Sequence, residues 1–164
     1  MTNLAAGQFA PEFALKALGG KEHSLQEILA RGPAILAFFK VSCPVCQFTF
    51  PFLQRLHERF HGSNITVVGI SQDDPRPARQ FNQEYGIDFL TRIDSHPYPV
   101  SNAYSLTNVP TIFLVEPDLT ITVSCMGFSK SDLEKIAAIL EERNSLAPKP
   151  LFRSGEVVPD YKPG

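Results

Sequence analysis

The sequence predicts an α/β fold in which a central mixed β-sheet is flanked by helices and preceded by an N-terminal extension. Continuously apolar segments of strand length alternate with longer segments of helical periodicity, and glycine or proline separates most of them. A hairpin and a helix close this pattern near residue 143. A chain of 164 residues with 43% hydrophobic content is long enough for one such domain with its own core.

The first segments lead into the predicted domain. Residues 7–25 carry apolar side chains around a Gly-Gly turn and predict a strand pair or an extended arm. Ser24 suits the N-cap of a short helix, because Glu27 at the third helical position completes a capping box. The Gly-Pro pair that follows is expected to end this helix near residue 30.

The middle of the chain supplies the centre of the predicted sheet. The apolar runs 34–39 and 65–70 predict two strands that are buried on both faces. Apolar residues at helical spacing predict a helix between them that ends at Gly62, with Pro51 inside it as a source of a kink. A further helix is expected to run from Pro75 to residue 85.

The last third of the chain completes the fold and adds a tail. Residues 89–93 and 111–115 predict two more strands, 119–126 predicts a hairpin partner, and Ser129 or Ser131 is expected to cap a final helix. The sequence thus predicts one domain over residues 1–143. The proline-rich residues 144–164 predict an extended or disordered tail. If this tail is held, its expected anchors are Leu151, Phe152, Val157, Val158 and Tyr161.

Charge and hydropathy narrow the classes of partner and the compartment. A formal net charge of −2 argues against a nucleic acid or an anionic membrane as partner. No apolar run approaches the ~20 residues that span a bilayer. The first seven residues lack the basic and apolar regions of a signal peptide. We therefore expect a cytoplasmic protein, or a periplasmic one if a leader has been removed.

Two of the three cysteines lie between the first buried strand and the helix that follows it, as Cys43-Pro44-Val45-Cys46. Helix N-terminal amides and the helix dipole favour an anion at the first sulfur. The second sulfur lies one turn further along, close enough to close a small disulfide ring. The chain has no second Cys-x-x-Cys and no Cys/His pair at zinc spacing, so this motif predicts thiol–disulfide chemistry rather than a metal site.

Further segments carry a family pattern. They are an opening signature Gly7-x-x-Ala10-Pro11-Glu12-Phe13, the strand-to-motif segment 38–46, Pro51 in the helix, and Val109-Pro110-Thr111 before a strand. On these segments the chain resembles the thioredoxin superfamily. It is most similar to the TlpA-like thiol–disulfide reductases within the alkyl hydroperoxide reductase/thiol-specific antioxidant (AhpC/TSA) group. The resemblance covers residues 7–143 and leaves the tail outside.

The resemblance implies a thioredoxin-like fold and a thiol–disulfide oxidoreductase without a cofactor. Cys43 would attack a substrate disulfide and Cys46 would resolve the mixed disulfide. Pro110 is expected to be cis, and Val109 and Pro110, with Pro44 and Val45 of the motif, are expected to bind the substrate. The partners would be a disulfide-containing protein or a small thiol and an electron donor. A reducing role is favoured over an oxidising one.

This sequence departs from the family pattern around the motif. Ser42 occupies the position of a tryptophan, and Thr49 occupies a position at which many TlpA-like proteins carry an acid. The preceding strand lacks the buried aspartate that thioredoxin has there. The sequence therefore predicts that no obvious carboxylate serves Cys46.

Two other functions are alternatives. A peroxiredoxin-type thiol peroxidase shares the opening signature, but it needs a threonine three residues before the reactive cysteine and an arginine from a later strand. Lys40 stands three residues before Cys43, and residues 107–126 contain no arginine. The second alternative is a copper or other metal carrier that uses the two thiols, with His96 as a further ligand. We expect His96 to be a loop residue without that role.

The remaining reactive side chains have simpler interpretations. His57-Glu58-Arg59-Phe60-His61 matches the HExxH pattern of zinc proteases, but the helix is expected to end at once and leave a solvated face. Cys125 is expected to be a buried structural thiol. Lys40 flanks the motif, where it could lower the pKa of Cys43 or simply be an exposed solubilising residue. Gln72, Asp73 and Asp74 follow the second buried strand, at the sheet edge where sites collect, and could shape the choice of substrate.

Overall fold

The structure is a computed structural model and describes residues 3–164. The strands are β1 (Ala14–Ala17), β2 (Glu22–Ser24), β3 (Ala34–Phe39), β4 (Thr66–Ser71), β5 (Leu90–Ile93), β6 (Thr111–Val115), β7 (Ile121–Met126), β8 (Phe128–Ser129) and β9 (Tyr161–Lys162). The helices are α1 (Leu25–Leu29), α2 (Pro44–Arg59), α3 (Pro75–Tyr85), α4 (Pro99–Ala103) and α5 (Lys130–Arg143).

Seven strands form one mixed sheet in the order β2-β1-β5-β4-β3-β6-β7. β3 is central and pairs with β4 in parallel and with β6 antiparallel, and β5 continues the parallel part beyond β4. The hairpin of β6 and β7 and the pair β1 and β2 complete the two edges. The predicted mixed sheet is therefore confirmed, and its flanking helices make it an α/β fold with a thioredoxin-like order of elements.

The two faces of the sheet bury separate apolar cores because side chains alternate along β3. Ile35, Ala37 and Phe39 point into the core formed with α2, α3 and α5. The alternate residues of β3 point into the core formed with α1 and α4. All six side chains of β3 are fully buried, as expected of a strand covered on both faces.

Local signals place most element ends. The Ser24 hydroxyl accepts from the backbone N–H of Glu27 while the Glu27 carboxylate accepts from that of Ser24, so the capping box is confirmed. Ser129, rather than Ser131, caps α5, because its hydroxyl accepts from Asp132 N–H at 3.3 Å. The helix after the cysteine motif ends at Arg59, earlier than the predicted stop at Gly62.

The proline-rich tail is ordered against the domain instead of extending into solvent. Leu151, Phe152 and Val158 pack against the core that faces α2 and α5, which confirms these three anchors. The prediction was wrong for Val157, whose side chain is 97% exposed. Tyr161 is 53% exposed and is held by its backbone, because β9 pairs antiparallel with β8 in a second small sheet.

None of the helices in residues 3–164 is both long enough and apolar enough to cross a membrane.

Candidate functional site

Cys43 occupies the N-cap of α2, at the carboxyl end of β3. The turn that follows β3 is closed by a hydrogen bond from Cys43 N–H to the Lys40 carbonyl at 3.2 Å. Pro44 begins the helix, where its missing N–H costs nothing. The Cys43 sulfur accepts a hydrogen bond from Cys46 N–H at 3.2 Å. A thiolate at this position is stabilised by a helix amide and by the positive end of the helix dipole.

The loop before β6 forms the other wall of the site. The Val109–Pro110 peptide bond is cis, as expected from the resemblance. The Cys43 thiol donates to the carbonyl oxygen of Val109 at 3.5 Å, within the range of a sulfur hydrogen bond. The structure therefore brings together residues 43–46 and 109–110, which are far apart in the chain. Cys43 is half-buried and Pro44 is exposed, so the nucleophile can be reached from solvent.

Cys46 lies inside the fold, one helical turn beyond Cys43. Its side chain is fully buried, and both thiols are free. Burial raises the pKa of the Cys46 thiol far above its ordinary value, and the neighbouring Cys43 sulfur and the negative charge of Asp73 raise this pKa further. The two thiols thus differ in solvent access and in environment. Cys43 is half-buried at the helix end, whereas Cys46 is buried behind it and stays protonated at neutral pH.

Asp73, expected from the sequence to lie beside the site, carries a negative charge that acts on Cys46. The negative charge of Asp73, which follows the end of β4, adds the least of the causes that raise the pKa of Cys46, so the prediction that no obvious carboxylate serves Cys46 stays a prediction. Its carboxylate accepts from the backbone N–H of Val41 at 2.8 Å, and its own N–H donates to the Ser71 hydroxyl. The signal in the sequence was its place just after a parallel strand, the sheet edge where sites collect.

Side chains around the motif hold its backbone. The Gln47 amide donates to the Val41 carbonyl at 2.9 Å, and the Thr49 hydroxyl donates to the Val45 carbonyl at 2.6 Å. Thr49, in the position of the family acid, is therefore engaged with the helix backbone. The Lys40 amine lies 5.6 Å from the centre of the Tyr98 ring, a cation–π contact.

Several other candidate residues lie away from the thiols. His57 and His61 line a cavity of about 720 Å³ at the amino ends of β4 and β5, the opposite end of the parallel strands from Cys43. His57 pairs with Asp88 at 3.1 Å, so the HExxH pattern belongs to a helix end that contacts a neighbouring loop. Within residues 3–164, no three His, Cys, Asp or Glu side chains are grouped so that they could hold a metal ion.

The loops beyond β4 and β5 form a polar network. The Gln72 amide donates to the Ser101 hydroxyl at 3.0 Å, and Asp94 accepts from the same hydroxyl at 2.7 Å. Asp74 is the N-cap of α3 but makes no side-chain capping bond. The ring of His96, in this loop region, contacts Tyr98 at a centroid distance of 5.5 Å.

Cys125 is a third thiol with a structural environment. It lies fully buried in β7, and its thiol donates to the Gly127 carbonyl at 3.6 Å. Burial raises the pKa of the Cys125 thiol to about 12. A thiol that is protonated and closed to solvent at neutral pH has little reactivity toward disulfides.

Comparisons with known proteins agree with this geometry. The model of the AhpC/TSA family matches residues 6–124. The thiol-disulfide oxidoreductase ResA of Geobacillus kaustophilus is 27% identical over 136 residues, which cover 82% of this chain and 77% of that protein. Peroxiredoxin Q of Populus jackii is 32% identical over 89 residues, which cover 54% of this chain and 41% of that protein.

The fold also recurs among solved structures. The thioredoxin domain of a thiol-disulfide oxidoreductase from Bacteroides vulgatus superposes with a TM-score of 0.73 and 22% identity, over 84% of this chain and 98% of that one. At that identity the similarity concerns the fold, and it places the seven-stranded sheet among thioredoxin-like folds.

Proposed function

The chain belongs to the AhpC/TSA family and is a thiol–disulfide oxidoreductase, and we propose that Cys43 is its nucleophile and Cys46 its resolving thiol. One observation carries this proposal. The Cys43 sulfur is half-buried at a helix N-terminus, bonded to a helix amide at 3.2 Å and to the Val109 carbonyl at 3.5 Å, with a second thiol one turn behind it.

The first step is attack on the substrate. The Cys43 thiolate attacks one sulfur of a substrate disulfide, forms a mixed disulfide and expels the other substrate sulfur as a thiolate, which takes up a proton. The Cys46 N–H holds the Cys43 sulfur at the helix N-terminus before the attack. The proposed contacts for the substrate are Val109, whose carbonyl accepts from the Cys43 thiol, with Pro110, Pro44 and Val45.

The second step releases the reduced substrate. Cys46 loses its proton and attacks the Cys43 sulfur, which closes the Cys43–Cys46 disulfide and frees the second substrate thiol. Once Cys43 is in the mixed disulfide, it carries no negative charge, so one of the causes that raise the Cys46 pKa is removed. The protein has then given two electrons to the substrate, and an external dithiol donor must restore the pair.

The partners in this cycle are a disulfide-containing substrate and a dithiol donor of electrons. We propose that the protein acts as a reductant and that its compartment is the cytoplasm, where free thiol pairs persist. The reduction potential of the Cys43–Cys46 pair measures the direction. A value near about −270 mV fits a reductant, and a value near about −120 mV would reverse the proposed direction.

Reduction of insulin disulfides with a dithiol donor tests the activity. The wild-type protein is expected to accelerate precipitation of the insulin B chain well above the donor alone, and Cys43→Ser is expected to return the rate to that of the donor. Because Cys43 is half-exposed at a helix end, this substitution leaves the core intact. Full activity of Cys43→Ser would exclude Cys43 as the nucleophile.

A thiol peroxidase is the second candidate, favoured by the relative named as a peroxiredoxin. In that case Cys43 would attack hydrogen peroxide, become a sulfenic acid and release water, and Cys46 would condense with it to the disulfide. Stoichiometric hydrogen peroxide added to the reduced protein separates the candidates. Loss of both thiols within seconds supports a peroxidase, and slow loss supports the reductase alone.

A further inference from the structure

The last residues of the chain lie on the site itself. Tyr161 and Lys162 form β9, which pairs antiparallel with β8 in the register Phe128 with Lys162 and Ser129 with Tyr161. The backbone N–H of Lys130 extends this pairing by donating to the Asp160 carbonyl at 2.9 Å. The edge formed by β8 therefore already binds an extended polypeptide in strand geometry.

This edge is joined directly to the loop that touches the nucleophile. Gly127, just before β8, donates its N–H to the Pro110 carbonyl at 2.8 Å. A methyl group added at Gly164 would lie 2.6 Å from the Asn108 side-chain nitrogen and nearer still to the carbonyl oxygen of Val109. That same oxygen accepts from the Cys43 thiol. Gly164 thus lies against the carbonyl that contacts the proposed nucleophile.

The tail also reaches the helix that carries the cysteines. The Lys162 amine lies 4.7 Å from the centre of the Phe48 ring, and Phe48 follows Cys46 by two positions on α2. Phe48 in turn packs against Phe128 of β8 at a ring distance of 5.0 Å. Residues 161–164 therefore contact α2 at Phe48, β8 at Phe128 and the loop at Val109, whose carbonyl accepts from Cys43, and the surface formed by these three residues is called the groove.

Gly127 allows the backbone of residues 162–164 to lie close to the domain. Its backbone has a φ of 71°, which favours glycine, and a methyl group there would meet the Lys162 carbonyl and, at 3.1 Å, the Gly164 nitrogen. The absence of a side chain at Gly127 is therefore what lets the tail lie flat on the groove.

Residues 161–164 are bound to the domain by fewer contacts than the upstream part of the tail. Upstream, Phe152 packs on Phe52 and Glu156 pairs with Arg55 at 2.6 Å. Downstream, only two residues form β9, and Tyr161 and Gly164 are exposed. A two-residue strand pair is weak enough to open locally while the upstream anchors stay in place.

We propose that residues 160–164 act as an intramolecular competitor that must leave the groove before a polypeptide substrate can dock beside Cys43. The inference rests on the proposed thiol–disulfide exchange. A tethered segment competes at a high effective concentration, so it weakens the apparent affinity for polypeptide disulfides in proportion to its occupancy. A small disulfide that needs no strand pairing enters beside the tail, because Cys43 remains half-exposed.

Gly164→Val in the full chain tests this proposal, because its side chain cannot fit against Val109. Gly19→Val is the matched control, since a methyl group at Gly19 meets nothing within 4 Å. A tail that fills the groove two-thirds of the time raises the apparent KM about threefold. Gly164→Val, if it fully releases the tail, is therefore expected to lower the KM for insulin by about threefold and to leave the rate with hydroxyethyl disulfide unchanged. An unchanged KM for insulin, or an equal change with both substrates, overturns the proposal.

Alkylation of Cys43 separates failure of this proposal from failure of the proposed function. A bulky maleimide and iodoacetamide are each reacted with the reduced proteins, and the modified peptide is identified by mass spectrometry. Gly164→Val is expected to accelerate the maleimide more than iodoacetamide, relative to both the wild type and Gly19→Val. If no protein reduces insulin but this acceleration occurs, the tail covers the groove and the assigned activity is wrong. If insulin is reduced and alkylation is unchanged, the competitor is wrong.

A peptide supplied in trans gives a second measurement. A synthetic peptide with the sequence of residues 158–164 is added to the Gly164→Val protein in the insulin assay. Competitive inhibition is expected, with an unchanged maximal rate. A scrambled peptide of the same composition that inhibits equally well would contradict the proposed register.

Discussion

The first turn of α2 and its last two turns belong to one helix, but different kinds of contact surround them. The first turn holds Cys43 and Cys46 by hydrogen bonds within residues 40–47, aided by loops at the sheet edge. The last turns carry Arg55 and Arg59, which bind partners about a hundred positions away in the tail. We call the end that carries the two thiols of the proposed reaction the reactive end, and the end that binds the tail the fastening end.

The two ends of α2 also differ in solvent access and in the strength of their contacts. The reactive end needs an accessible sulfur, so Cys43 is half-buried and its neighbours are loops. At the fastening end, the Arg55 guanidinium binds both carboxylate oxygens of Glu156, at 2.8 and 2.6 Å, and also the Leu151 carbonyl. A bidentate pair of this kind holds the tail more firmly than a single hydrogen bond would.

Removal of the aromatic anchor of the tail is expected to have the largest effect on stability. Phe152 packs on Phe52 at 5.0 Å and on Phe128 at 6.1 Å, so Phe152→Ala leaves a cavity beside the fastening end. We expect a loss of about 2 kcal/mol in the free energy of unfolding, below the cost for a fully buried Phe. Val157→Ala is the matched control in the same tail, and it should change this free energy by less than about 0.5 kcal/mol. Equal losses in urea titrations would show that the tail is not packed as described.

The ion pair at the same end predicts a dependence on pH. The Arg55 guanidinium lowers the pKa of Glu156 to about 2, from an ordinary value of 4.5. A lowered pKa in the folded state means that the pair stabilises the fold above pH 4.5, and that this contribution is lost as the pH falls toward 2.

Glu156→Gln tests this pH window. The variant is expected to have a lower urea midpoint than the wild type at pH 6, and the difference should shrink below pH 4.5 to a small remainder near pH 2, where about half of Glu156 is protonated. Glu134→Gln, at an exposed position of α5, controls for the loss of one negative charge. A difference that persisted in full at pH 2 would show that the charge of Glu156 is not what holds the tail.

At the reactive end, Asp73→Asn is expected to change the second step. The negative charge of Asp73 raises the pKa of Cys46, so its removal lowers that pKa and moves the resolution of the mixed disulfide to lower pH. The asparagine oxygen can still accept from Val41 N–H, which preserves the loop. Stopped-flow measurement of resolution against pH checks the sign. A shift to higher pH would identify Asp73 as a proton acceptor instead of a repulsive charge.

Cys125→Ala is expected to have the smallest effect on activity. This thiol lies in β7, away from both ends of α2, and its pKa of about 12 keeps it protonated. Insulin reduction should proceed at the wild-type rate, with a stability loss of about 1 kcal/mol from the small cavity. A large fall in the rate of insulin reduction would give the third thiol a part in the reaction.

The reactive end could be predicted from the sequence because its signals are local. A buried apolar run followed by Cys-Pro-x-Cys specifies a strand, a helix N-cap and two thiols one turn apart, and the structure has all of these. The family pattern supplied the one distant partner, the cis-proline loop at Val109 and Pro110. The sequence places Asp73 beside the site, but the effect of its charge on the pKa of Cys46 depends on the conformation of the loop after β4, which the sequence does not predict.

The fastening end could not be predicted in the same way. Arg55 and Glu156 are separated by 101 positions, and nothing in the chain between them shows that they meet. β8 and β9 are two residues each, too short for any periodic pattern. The tail has the proline content of a disordered segment, and its order comes from tertiary contacts that local composition does not encode.

The central claim is that Cys43 attacks the substrate and Cys46 resolves the product, and trapping of the intermediate tests it most directly. Reduced Cys46→Ser protein is mixed with oxidised insulin, quenched with acid and analysed by mass spectrometry. A stable mixed disulfide between Cys43 and an insulin chain is expected, and Cys43→Ser protein is expected to form none. A mixed disulfide through Cys46 in the Cys43→Ser protein, together with no mixed disulfide through Cys43 in the Cys46→Ser protein, would contradict the assignment of Cys43 as nucleophile.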